Sequence, residues 1–180
     1  MDDNPATDPE DVIEPGATSR PVADPAVSEV PGTEAVAVAL PSEKTFRDFG
    51  IAEPICAALE AEGITTAFPI QALTLPIALD GHDLIGQART GTGKTFAFGI
   101  PILERLDQTP RENSAPRSLI VVPTRELAIQ VADDIRVAGS RIGANVVTLY
   151  GGRAYEPQIE ALATVDIVVG TPGRLLDLAR

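Results

Sequence analysis

The residues in this chain best suited to chemistry are consecutive: Ala88-Arg89-Thr90-Gly91-Thr92-Gly93-Lys94-Thr95 sets two glycines, a lysine and a hydroxyl in fixed order. Gly91 and Gly93 can take backbone angles closed to other residues, so successive N–H groups can turn inward around the oxygens of a polyphosphate. A helix beginning near Lys94 would aim its positive dipole end and unpaired N–H groups at the same anion. Lys94 would then reach the terminal phosphates, and the Thr95 hydroxyl would be a ligand for Mg2+. The first position of the general G-x-x-x-x-G-K-[ST] pattern is Ala88 here rather than glycine. The flanking residues restore the context, because Asp83 to Gln87 reads as a short buried strand and Phe96 to Ile100 as an apolar helix.

Those elements need a domain to hold them. At 180 residues the chain has room for one ordinary core and not comfortably two. Hydrophobic residues make up 44% and charged residues 22%, a balance that fits a soluble globular protein. No apolar run is long enough to span a bilayer, and Met1-Asp2-Asp3-Asn4 lacks the basic and apolar regions of a secretory leader, so a cytoplasmic protein without a membrane partner is expected. Cys56 is the only cysteine, which rules out a disulfide within the chain and fits a reducing compartment. It is expected to be inert core on a helix. His82, the only histidine, follows Gly81 in a turn, and neither residue supports a metal site, which needs several ligands.

The net charge of -12 argues against nucleic acid until it is divided along the chain. Residues 1–41 carry nine acidic residues against Arg20 alone, a net of -8, and residues 42–180 carry the remaining -4. Most of the imbalance is therefore in the first segment, and the overall charge says little about what the rest binds. Residues 1–41 also hold seven prolines and no aromatic side chain. Such a segment buries too little apolar surface to offset its ordering entropy, so it is expected to be a disordered acidic tail.

From Phe46 onward the pattern is that of a folded domain. Two short helices are expected, one opening at Pro54 and ending before Gly63, the other opening at Pro69 and running to about Leu79, with Pro76 bending it or ending it early. After the loop helix, Asp107 to Arg117 reads as a surface loop. Strands are expected at Ser118 to Val122, Asn145 to Tyr150 and Asp166 to Val169, with helices to about Arg141, over Glu156 to Ala163, and from Leu175. Alternating strands and helices, with strands nearly continuous in aliphatics, indicate an α/β fold whose parallel sheet is flanked by helices on both faces. In such sheets ligands bind at the carboxyl edge of the strands, so the special residues that follow strand ends should share one rim.

Ahead of the phosphate loop lies Gly63-Ile64-Thr65-Thr66-Ala67-Phe68-Pro69-Ile70-Gln71. Its glycine, proline and isoleucine-glutamine pair, with Phe46 seventeen positions before Gly63, resemble the Q motif of DEAD-box RNA helicases. The resemblance implies that Gln71 reads adenine and that Phe46 stacks on the base. Gln71 carries a donor and an acceptor on one amide, as reading an adenine edge requires. The family usually has threonine or serine where this chain has Phe68, so the hydroxyl link to the phosphate loop is expected to be missing. Further along, Pro123 to Ala128 is similar to motif Ia, Gly151-Gly152 to the GG motif and Thr171-Pro172-Gly173-Arg174 to motif Ib.

The resemblance covers residues 46–180 and implies a RecA-like lobe that binds ATP and Mg2+ through residues 88–95 and an RNA backbone through the rim. Thr124, Arg125, Gly151, Gly152, Thr171 and Arg174, with Arg153 beside them, could donate to phosphate or ribose oxygens, contacts that carry no base sequence. The family's Asp-Glu-Ala-Asp box, Ser-Ala-Thr motif and second lobe do not occur in these 180 residues. Residues 42–180 are therefore expected to form a partial ATP-binding domain, incomplete at its C-terminus, that binds nucleotide without hydrolysing it. Two other classes stay open: a non-catalytic nucleotide- and RNA-binding module, and a phosphate-loop NTPase of another family.

Overall fold

The computed structural model describes residues 43–108 and 115–179. The expected acidic tail and the middle of the expected 107–117 loop lie outside the described residues. A one-turn 3-10 helix, Phe46–Phe49, is followed by α1 (Glu53–Ala61), α2 (Pro69–Leu79) and α3 (Lys94–Gln108). Then come β1 (Ser118–Val121), α4 (Arg125–Gly139), β2 (Val146–Leu149), α5 (Glu156–Leu162), β3 (Ile167–Gly170) and α6 (Pro172–Leu178).

The three strands form a parallel sheet in the order β1-β3-β2. Central β3 is buried along its whole length, which explains the unbroken Ile-Val-Val run. Its two faces feed different packing layers. Ile167 and Val169 join Ile120, Ile100, Leu103, Val131 and Ile135 in the larger core, while Val168 packs with Leu149 and Val165 against Leu162, Leu175 and Leu178. Close approach of α3 and α4 depends on Gly99, where an added Cβ would lie 2.9 Å from Ile135 Cδ1.

The strand starts are fastened by one acid. Asp166 Oδ1 accepts from Arg117 Nη2 at 3.0 Å, and its Oδ2 accepts the Asn145 N–H at 3.0 Å, so the entries to β1, β2 and β3 are tied together. Thr124 starts α4 by accepting the Leu127 N–H on its hydroxyl at 3.2 Å, an N-cap that fixes where the chain turns from strand into helix.

One expectation fails here, for a local reason. Asp83 to Gln87 forms no regular secondary structure, and Leu84 and Ile85 are exposed. An apolar run becomes a strand only when a neighbour takes its N–H and C=O groups, and none of the described residues pairs with this segment. Leu119 and Val121 on edge strand β1 are also open to solvent, so the sheet carries uncovered apolar surface on that side. The second helix runs from Pro69 to Leu79 as expected, with Pro76 inside it rather than at its end.

Cys56 is buried on α1, as its apolar setting implied; its thiol donates to the Ile51 carbonyl at 3.4 Å, and burial pushes it above the ordinary thiol range. A raised, enclosed thiol is a poor nucleophile. An aromatic disulfide reagent should therefore report no thiol in the native chain and one equivalent after denaturation; prompt labelling of native protein would contradict this packing.

Candidate functional site

The phosphate loop leads into α3 as its sequence demands. Gly91 and Gly93 have φ of 77° and 74°, so both take the left-handed region that glycine enters without strain. Gly93 is doubly constrained, because an added Cβ would lie 2.4 Å from Gln71 Nε2 and 2.7 Å from the Phe68 ring. Lys94 folds back over the loop and donates to the Ala88 carbonyl at 2.6 Å and the Arg89 carbonyl at 2.5 Å. The Thr92 hydroxyl donates to the same Arg89 carbonyl at 2.8 Å. Thr90 is exposed at the turn, and Thr95 stands half-buried as the second residue of α3. The ammonium is therefore aimed into the loop by backbone carbonyls, with one of its three N–H groups still to give. A positive-φ turn, an inward lysine and a helix N-terminus together fit a polyphosphate.

Gln71, expected to read adenine, lies against the phosphate loop. Its side chain is wholly buried. Oε1 accepts the Phe68 N–H at 2.9 Å, closing the first turn of α2, and Nε2 donates to the Gly93 carbonyl at 2.7 Å. The amide thus ties the start of α2 to the phosphate loop, with one N–H and one lone pair uncommitted. Phe68, half-exposed, packs its ring over Gly93, so this side chain adds an apolar contact to the loop where the family supplies a hydroxyl.

Phe46, the expected stacking ring, is 2% exposed and packs in the core with Ile51, Ile55 and Leu59. Local bonds turn it inward. Asp48 Oδ2 accepts from the Thr45 N–H and hydroxyl, which hold its carboxyl below the usual range, and Arg47 grips Glu53 and Glu60 on α1. Glu104, buried on α3, accepts the Ala52 N–H at 2.5 Å and so joins this segment to the helix of the phosphate loop. The sequence reading named neither Glu104 nor the Arg47 pairs. Their partners lie too far along the chain for local spacing to signal.

At the sheet, Val121, Gly170 and Leu149 are in register, so the residues after all three strands emerge at one edge. Thr124, Arg125, Gly151, Gly152 and Thr171 are found there as expected, and all but half-buried Thr171 are exposed. The phosphate loop does not follow a strand of this sheet; it is held through α3 and Gln71 instead. Arg174 departs from the expectation of a presented cation. It is 6% exposed, its guanidinium carbon lies 4.0 Å from the centre of the Tyr155 ring, and its Nη2 donates to the Arg153 carbonyl at 3.0 Å. Nε and Nη1 of Arg174 have no hydrogen-bond partner among the described residues. Two tyrosines to which the sequence assigned no functional role organise this edge: Tyr155, and Tyr150, whose ring lies 5.0 Å from the Arg125 guanidinium and 5.4 Å from that of Arg153. The local signal was an aromatic residue directly before Gly151-Gly152.

Among known proteins, the DEAD/DEAH box helicase family model matches residues 68–180. The DEAD-box ATP-dependent RNA helicase CshA of Geobacillus kaustophilus is 46% identical over 134 residues, which cover 74% of this chain and 28% of that protein. The chain thus spans about a quarter of the length of such curated relatives. A solved DEAD box protein from Methanococcus jannaschii superposes with a TM-score of 0.67 at 41% identity, over 74% of this chain and 36% of that one. Dbp5 of S. cerevisiae, solved bound to RNA and ADP BeF3, gives 0.67 at 28% identity over 76% and 34%. The parallel sheet flanked by helices is accordingly a RecA-like lobe. With the loop, the glutamine and the strand-end motifs standing in family order on that lobe, the chain belongs to the DEAD/DEAH box helicase family.

Proposed function

We propose that residues 42–180 are the ATP-binding, RNA-contacting part of an ATP-dependent RNA helicase that works in the cytoplasm, with residues 1–41 as an acidic tail. The observation that carries this reading is the bond from Gln71 Nε2 to the Gly93 carbonyl, which couples the base-reading glutamine to the phosphate loop. Lys94 and the N–H groups at the start of α3 would hold the phosphates, and Thr95 would hold Mg2+. Mg2+ held there would supply positive charge against the phosphates. Gln71 still has one N–H and one lone pair for an adenine edge, while the exposed rim of Arg125, Gly151 and Gly152 suits a phosphate backbone.

Binding and turnover make separate demands. Phosphoryl transfer needs a metal held on both sides, a group that orients the attacking water and a cation on the developing charge. Residues 1–180 offer Lys94 and Thr95 for these tasks, so the chain is expected to bind nucleotide without hydrolysing it. Calorimetry should show tighter binding of Mg-ADP than Mg-GDP, and Gln71→Ala should weaken ADP and shrink the preference. Equal affinity for both nucleotides in the folded parent chain would overturn the adenine assignment. RNA-dependent phosphate release that Lys94→Ala abolishes would overturn the binding-only reading.

A further inference from the structure

Arg125 and Arg153 come from different segments, one opening α4 and the other following Gly152, yet both guanidinium groups rest on a single ring. That ring belongs to Tyr150, 3% exposed, with its guanidinium distances of 5.0 and 5.4 Å inside the range of a favourable cation–π contact. Neither arginine forms an ion pair among the described residues. The distinction matters chemically. A carboxylate would consume N–H donors and neutralise the charge, whereas an aromatic face orients the guanidinium plane and leaves its edge donors and its charge available.

The ring is packed in the core, and the backbone that carries it is held. Buried Gln158 on α5 accepts the Tyr150 N–H on Oε1 at 3.3 Å and donates from Nε2 to the Ala154 carbonyl at 2.8 Å. One side chain thus pins both ends of the Gly151 to Arg153 turn. The Arg153 carbonyl is in turn fixed by Arg174 Nη2. Two long side chains that lose rotamer freedom on binding would each cost affinity; resting them on a fixed ring removes part of that cost beforehand.

We infer that Tyr150 is a positioning residue that holds Arg125 and Arg153 as a preorganised pair for neighbouring phosphates of one RNA strand. The inference rests on the proposed RNA-binding function and deepens it. It makes the ring, rather than an acidic partner, the element that sets where the two cations stand.

The test titrates a fluorescent single-stranded oligouridylate with the chain across a series of KCl concentrations, comparing Tyr150→Phe, Tyr150→Leu and a chain with pentafluorophenylalanine at position 150. Phenylalanine keeps the ring face and should bind within about twofold of the parent, since cation–π attraction needs the ring and not the hydroxyl. Leucine should weaken binding by about 5- to 10-fold and lower the salt slope by roughly one counterion. Pentafluorophenylalanine keeps the shape of the ring but reverses its quadrupole, so it should behave like leucine while melting like the phenylalanine variant. Equal binding by the fluorinated and phenylalanine chains would overturn the inference, as would a hydroxyl requirement seen as equal losses in the phenylalanine and leucine variants. No RNA binding by the folded parent would overturn the RNA-binding function itself, and the inference with it. Normal parent binding that no ring variant alters would overturn the inference alone.

Discussion

Replacing Lys94 with alanine is expected to lower Mg-ADP affinity by at least about 100-fold while leaving the fold intact, because the loss is of charge-assisted bonds each worth roughly 1.5–3 kcal/mol. The side chain sits at the N-terminus of a 15-residue helix, and its ammonium is directed into the loop by the carbonyls of Ala88 and Arg89. A phosphate arriving there would meet a cation already in place. Alanine removes that cation, and it also leaves the two carbonyls facing the incoming anion, a repulsive arrangement that the lysine normally screens. Arginine at the same position should not restore binding, since a planar fork cannot be cradled by two carbonyls as a compact ammonium is. Calorimetry on both variants, beside circular dichroism to establish folding, checks the point. Retention of more than a tenth of the parent affinity by Lys94→Ala would show that the helix N-terminus alone holds the phosphates.

The α/β architecture was legible because its signals are local. Pro54 and Pro69 mark helix starts, Thr124 caps α4, and the aliphatic runs at 118–121 and 167–170 are the strands. The segment at 83–87 has the same apolar character and forms no strand, since strand formation depends on a partner and not on the run itself. Residue types at the candidate site were legible for the same reason as the helix starts: the glycine spacing and the lysine are encoded in consecutive positions.

What the side chains bond to was less legible. Gln71 and Gly93 lie 22 residues apart, and nothing in either neighbourhood signals that the glutamine would be spent on the loop backbone. Phe46 reads as a candidate base platform, but the capped turn around Asp48 commits its ring to the core. Arg174 stands in the expected motif but is stacked on Tyr155, whose hydroxyl donates to Asp177 Oδ2 at 3.1 Å, a contact between three residues drawn from two segments. The Phe68 departure illustrates both cases. Its substitution for a hydroxyl residue was visible in the sequence; that the Gln71 amide supplies a polar link to the loop, with the ring packed on Gly93, was not.

Asp166→Ala is expected to destabilise the chain by about 3 kcal/mol, at the lower end of the cost of breaking a buried ion pair because Arg117 keeps some contact with solvent. The carboxylate accepts from Nη2 and Nε of Arg117 at 3.0 and 3.3 Å and from the Asn145 N–H at 3.0 Å. Arg117 also donates from Nη1 to the Leu106 carbonyl at 3.2 Å, so the same pair reaches the end of α3. Alanine would strip this carboxylate from a guanidinium that is mostly buried and would leave the Asn145 N–H without its acceptor. Against a typical stability of about 5–15 kcal/mol, the loss is large enough to move a urea midpoint clearly. Asp166→Asn should recover part of it, since an amide oxygen can still accept from Asn145. Replacing Arg117 and Asp166 together with leucine should cost less than the two single changes added, because no charge is then left buried. These groups stand at the strand starts, opposite the edge that carries Arg125 and Gly151, so variants that remain folded should bind RNA like the parent. A midpoint shift worth less than about 1 kcal/mol for Asp166→Ala would mean that the strand entries are held chiefly by their backbone bonds and that this pair is dispensable.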